Sequence, residues 1–134
     1  MRVILDTDVF VSGVFFTGPP YRILQAWDEG RFQLVVSADI LAEYHRVGKT
    51  LQNQFHGIDL DPILRGLLQR VLICQPRSLP EQVCDDPTDD MLLACALGGR
   101  CKIIISGDKH LLRVTGYRGI EVVRPRKFTD DYLQ

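Results

Sequence analysis

The chain alternates short apolar runs with longer stretches in which apolar residues recur at helical spacing. Arg2–Leu5 is rich in β-branched side chains and reads as a buried strand. Gly13–Pro20 reads as a loop, with Gly18-Pro19-Pro20 as breakers. Tyr21–Glu29 puts Ile23, Leu24 and Trp27 on one side of a helix that Gly30 stops. Phe32–Val36 is a second strand, and Ser37 is a suitable N-cap for a helix running to about Lys49. Thr50–Gly57 is polar and supports no assignment; Thr50–Asp61 has no readable role. Asp61-Pro62 opens a helix with Ile63, Leu64, Leu67 and Leu68 as its apolar face. Val71–Cys74 is a short strand, followed by a connecting loop over Gln75–Val83. Asp86-Pro87 reads as N-cap and first helical residue of a helix ending at Gly98-Gly99. Lys102–Ser106 is a strand suited to burial on both faces. Asp108 caps a short helix through Val114, Ile120–Val123 is the last strand, and Arg126–Leu133 is a terminal helix. This alternation predicts one α/β domain over residues 1–134 with a mainly parallel sheet.

Carboxylates break the pattern where a strand ends or a helix begins. Asp6 and Asp8 follow Val3-Ile4-Leu5, and Asp108 follows the Lys102–Ser106 strand. Parallel strands would bring both groups to one sheet edge, where ligands bind in open α/β sheets. Glu43 interrupts the stripe of Ile40, Tyr44 and Val47. Asp90 shares a helical face with Leu93, Ala94 and Leu97, and Asp86 lies four residues before it, so both are expected over the sheet edge. Asp89, rotated by about 100°, is assigned to solvent or capping. Each acid also has an ordinary use. Asp6 suits an Asx turn, Asp8 a local cap, and Asp86 and Asp108 N-caps. Glu43 suits a pair with Arg46 or Lys49, Asp90 a helix-dipole contact, and Ser106 a strand-end hydroxyl. If the acids converge, each buried carboxylate costs several kcal/mol and raises its neighbours' pKa. Bound Mg²⁺ or Mn²⁺ removes that conflict, since both favour oxygen ligands.

Composition alters this picture little. Hydrophobic content of 46% and charged content of 25% allow a real core in a 134-residue chain. The net charge of −1 argues weakly against nucleic acid, yet two divalent cations would make it positive. Arg118, Arg124, Arg126 and Lys127 form a basic cluster that suits either a phosphate backbone or a solvated face. Lys109 and His110 read as solvated. The four cysteines lack CxxC spacing and the three histidines are scattered, so zinc is not expected. The cysteines suit reduced thiols in the cytoplasm. No apolar stretch approaches the roughly 20 residues of a membrane span, and Asp6 interrupts any signal-peptide core.

The four acidic segments together resemble the PIN-domain family of metal-dependent ribonucleases. LDTDVFVSG is similar to its opening motif, with Asp8 where Asn is usual. ADILAEYHRV, DDPTDDMLLACAL and IIISGDKHLL resemble its second, third and fourth segments. The closest likeness is to VapC-type toxins of toxin–antitoxin systems. This resemblance implies a three-layer α/β/α sandwich and a Mg²⁺- or Mn²⁺-dependent endoribonuclease. Asp6, Glu43, Asp90 and Asp108 would hold one or two ions, with Asp8, Asp86 and Ser106 auxiliary. It also implies an RNA substrate, a homodimer and a cognate antitoxin. Two other readings stand beside it: a non-catalytic PIN-fold domain that binds RNA or protein, and a haloacid-dehalogenase-type phosphatase with Asp6 as nucleophile.

Overall fold

The computed structural model describes residues 1–55 and 57–134. Five strands, β1 (Arg2–Leu5), β2 (Gln33–Val36), β3 (Leu72–Ile73), β4 (Ile103–Ile105) and β5 (Glu121–Val123), form one sheet in the order β3-β2-β1-β4-β5. Every pairing is parallel. Among the described residues, seven α-helices flank it: α1 (Thr7–Phe15), α2 (Pro19–Asp28), α3 (Ala38–Gln54), α4 (Leu60–Leu68), α5 (Pro87–Gly98), α6 (Lys109–Leu112) and α7 (Pro125–Tyr132). This is the expected α/β/α sandwich with a parallel central sheet.

The sheet explains its own sequence. Val3, Ile4 and Leu5 in β1 and Ile104 and Ile105 in β4 are wholly buried, because helices cover both faces. Fully burying one such side chain stabilises the fold by about 1.5–3 kcal/mol. Leu5 lies opposite Ile105, and Ile105 opposite Val123, so β1, β4 and β5 end together.

The predicted loop over Gly13–Pro20 is corrected. Residues Thr7–Phe15 are α1, and only Phe16–Gly18 separate it from α2. Val9, Phe10 and Val11 are consecutive buried residues, so α1 lacks the amphipathic period that announces a surface helix. Packing holds it instead. A Cβ on Gly13 would lie 2.6 Å from Leu24 Cδ1 and 2.8 Å from the Pro20 carbonyl, so only glycine admits α2 this closely. Pro19 and Pro20 are not breakers; they occupy the first two helical positions of α2, where no N–H partner is lost.

Helix α3 also runs past Lys49 to Gln54, absorbing much of the unassigned polar stretch; His56 in that stretch lies outside the described residues. Its start is as expected. Ser37 is buried, and its hydroxyl accepts the Ile40 N–H at 3.2 Å. Ser37→Ala is expected to lower stability by about 1 kcal/mol, measured by urea denaturation. Asp59, not Asp61, caps α4, accepting the Asp61 N–H at 3.2 Å. Tyr44, fully buried in α3, donates to the Leu5 carbonyl at 2.6 Å and stacks on Phe10 with ring centroids 4.2 Å apart. That contact locks α1 and α3 over the end of β1. Among the described residues, no helix is long and apolar enough to cross a membrane.

Candidate functional site

The C-terminal ends of β1 and β4 meet at one sheet edge, where the chain's strand order reverses direction. The Asp6 N–H donates to the Ile105 carbonyl at 2.9 Å, which extends the β1–β4 ladder by one residue. Ser106, one residue beyond β4, donates its hydroxyl to Asp6 Oδ2 at 2.6 Å. The Ser106 hydroxyl oxygen in turn accepts the Asp108 N–H at 3.0 Å, and Asp108 Oδ1 accepts the His110 N–H at 2.8 Å. Ser106 therefore fixes Asp6 to the turn that carries Asp108. Burial raises the Asp6 carboxyl above its ordinary pKa; the Ser106 bond opposes this, and Asp8 and Asp108 reinforce it. Asp108 thus caps α6 while its carboxylate also lines the cleft.

Glu43 projects from α3 toward this edge. Arg46, one turn on, grips it with two bonds, Nε to Oε1 at 3.2 Å and Nη2 to Oε2 at 2.8 Å. That pairing holds the Glu43 carboxyl below its usual range. Lys49, the other partner weighed for Glu43, pairs with Asp61 at 2.8 Å.

The third segment requires a correction. The expectation that Asp90 faces the cleft fails: its carboxylate accepts the Val83 N–H at 3.1 Å and the Cys84 N–H at 2.7 Å. It fastens the preceding loop to α5. Asp89, expected to face solvent or to cap, is 5% exposed and lines the cleft. Its Oδ2 is buried without a hydrogen-bond partner. Burial pushes the Asp89 carboxyl up to about 6, with Asp108, Asp6 and Asp86 adding repulsion. The reason lies in helical phase. The buried stripe of α5 is Asp89, Leu92, Leu93 and Ala96, as regular as the stripe drawn through Asp90. Leu93 belongs to both. Asp86, four residues before Asp90, lends that stripe no support, because it is the N-cap, with extended backbone, and bonds the Thr88 N–H at 2.9 Å.

The result is an open cleft of about 250 Å³ lined by six carboxylates: Asp6, Asp8, Glu43, Asp86, Asp89 and Asp108. Thr7, Thr88, Val47 and Arg46 complete its walls, and among the described residues Arg46 is the sole basic one lining it. An all-oxygen donor set fits a hard divalent cation. The orphaned Asp89 Oδ2 fits the same group, because a buried carboxylate oxygen without a donor is otherwise destabilising. Among the described residues, no three His, Cys, Asp or Glu side chains stand close enough to hold an ion as placed. Mutual repulsion and the Arg46 grip favour that spread arrangement. Asp8 is exposed on the first turn of α1 and bonds no neighbour through its side chain among the described residues.

Other candidates fall away from the cleft. Lys102 precedes β4, so it lies at the opposite sheet edge from Asp6, where the phosphatase reading cannot use it. The basic cluster divides: Arg118 precedes β5, whereas Arg124 follows it and places Nη1 3.5 Å from the Gly107 carbonyl beside the cleft. Lys127 pairs with Asp131 at 2.8 Å. Lys109 and His110 are exposed. The four cysteines are free thiols; burial raises Cys84 and Cys101 to about 12, which keeps them protonated and poor metal ligands.

The sequence model of the PIN domain matches residues 2–110, most of the chain. No curated protein matches. PIN domains are typically nucleases that bind RNA and usually use divalent metals.

Proposed function

Because the chain belongs to the PIN-domain family, we propose that it is a metal-dependent endoribonuclease whose centre is the six-carboxylate cleft. The observation that carries this reading is Asp89, a buried carboxylate without a partner, aimed into a cleft already crowded with acids. Asp6, Glu43, Asp89 and Asp108 would hold Mg²⁺ or Mn²⁺, one ion or two. Asp89 takes the place first assigned to Asp90. When bound, such an ion activates water and stabilises the leaving oxygen of a phosphodiester.

The chain's own residues prepare that site. Ser106 orients Asp6, the cap at Asp108 fixes its backbone, and Tyr44 anchors the end of β1 beneath Asp6. Asp86 and Asp8 add negative charge at the rim. Arg46 restrains Glu43 until a cation competes for it. That pair is exposed at its arginine end, so solvent screening leaves it weak. Arg46→Ala is therefore expected to tighten Mn²⁺ binding about threefold by calorimetry. Weaker binding would mean that Arg46 positions Glu43 for the ion.

RNA cleavage with Mn²⁺ or Mg²⁺ tests the function directly, comparing the wild type with Asp6→Asn and Asp89→Asn. Cleavage that survives both substitutions overturns it. Metal binding without cleavage of any RNA would favour the non-catalytic binding domain. Within the family reading, the protein is the toxin of a toxin–antitoxin pair, acting as a cytoplasmic homodimer restrained by an antitoxin protein. Growth arrest on expression, relieved by Asp6→Asn, is its expected sign. Harmless expression of a cleavage-competent protein would contradict that role.

A further inference from the structure

The sheet edge opposite the cleft, where β4 and β5 begin, carries a concavity of about 300 Å³. Arg100, Lys102 and Arg118 surround it over a floor of Ala96, Leu97 and Ile120, and no acidic residue lines it. Among the described residues, none of these three cations joins an ion pair. Lys102 Nζ reaches across Gly119 to within 3.9 Å of where a β-carbon would stand there, so the ammonium lies beside the Arg118 segment. The Arg118 guanidinium lies 5.6 Å from the Tyr117 ring centroid. Three positive charges around one concavity attract an anion there.

The backbone adds a separate observation. Arg100 and Arg118 have φ of 55° and 48°, and among the described residues no other non-glycine has a positive φ. L-residues occupy this left-handed region at a cost, and glycine does not. Gly99 precedes Arg100 and Gly119 follows Arg118, so the chain places arginine in both strained positions and glycine beside each. Strain retained at two points around one concavity marks a site whose side chains matter more than local stability.

We propose that this concavity binds a phosphate ester, with the three cations around the phosphate and an attached base or sugar against the Ala96–Leu97–Ile120 floor. Its size suits a mononucleotide or one nucleotide of an RNA strand. The site is separate from the carboxylate cleft and stands whether or not that cleft cleaves RNA.

The test is titration of AMP, inorganic phosphate and a short single-stranded RNA into ¹⁵N-labelled protein without divalent cations. AMP or RNA is expected to shift the amides of residues 100–102 and 118–120, with phosphate alone binding more weakly. Competition between AMP and RNA at these amides distinguishes a free nucleotide from a strand. Arg100→Gly and Arg118→Gly relieve the backbone strain, so each is expected to melt roughly 3 °C higher without ligand. Their combination is expected to weaken binding at least about tenfold, losing two of three charged contacts. Lys102→Gln, which leaves the backbone alone, is expected to weaken it several-fold. Amides unmoved by both AMP and RNA, or affinity unchanged in Lys102→Gln and in the double glycine variant, would overturn the proposal. Asp89→Asn is expected to leave this binding intact, which separates the site from the cleft.

Discussion

Asp89→Asn is expected to reduce RNA cleavage by about 100-fold or more in kcat/KM, whereas Asp90→Asn is expected to keep it within a few-fold. The two residues are adjacent and chemically identical, so helical phase alone separates them. Asp89 is aimed into the cleft with Oδ2 unpartnered, and the asparagine would put an uncharged amide where a cation's ligand is needed. Folding should not suffer from the change. The neutral isostere removes a carboxylate that burial and three neighbouring acids already disfavour. Asp90 should show the reverse profile. Its two oxygens accept the Val83 and Cys84 N–H groups, and an asparagine has one acceptor and an amino group to offer them. One N–H would lose its partner, at about 1–3 kcal/mol. Steady-state cleavage and urea denaturation of the two variants together decide the matter. An inactive Asp90→Asn beside an active Asp89→Asn would reverse the assignment of the third acid.

That pair also shows where sequence stops being informative. β1 and β4 were legible because each is a short run of residues apolar on both faces, and strand-end logic then brought Asp6 and Asp108 together. Glu43 was legible because a charge inside an apolar stripe has few explanations. Asp89 was not, because DDPTDD offers an acid to two overlapping stripes and Leu93 fits both. A cap residue does not set the phase of the helix it precedes, so Asp86 does not decide between them. Helix α1 was illegible for a different reason. Its run Val9-Phe10-Val11 is poor in helix propensity, and the packing of Gly13 against Leu24 and of Phe10 against Tyr44 overrides that weakness. Arg46 was visible only as an ordinary partner for Glu43. Its place on the cleft wall depends on how α3 lies against β1, which no local pattern encodes.

The cleft's crowding should also appear in stability as a function of pH. Burial and the neighbouring acids push the Asp89 carboxyl up to about 6 from an ordinary 3.8, so the folded state holds this proton more tightly than the unfolded state. Without metal, the contribution is fully present below pH 4 and is lost as pH rises through 6. Asp6 is raised as well and acts in the same direction. For Asp89 alone the whole loss is on the order of 3 kcal/mol, of which a little under half, roughly 4 °C in Tm, falls between pH 5 and 7. Glu43 and Asp61, held low by Arg46 and Lys49, act oppositely, but only below the ordinary carboxylate range and through solvent-screened pairs. In EDTA the wild type is expected to melt lower at pH 7 than at pH 5, and Asp89→Asn to flatten that slope. Mn²⁺ should act in the other direction, because it binds the deprotonated carboxylates. At 100 times its Kd it would add about 2.7 kcal/mol at pH 7, and this gain should fade as protons compete toward pH 5. Melts at pH 5, 6 and 7, with EDTA and with Mn²⁺, separate the two effects. A wild-type slope matching that of Asp89→Asn would show that Asp89 is not the strained carboxylate of the cleft.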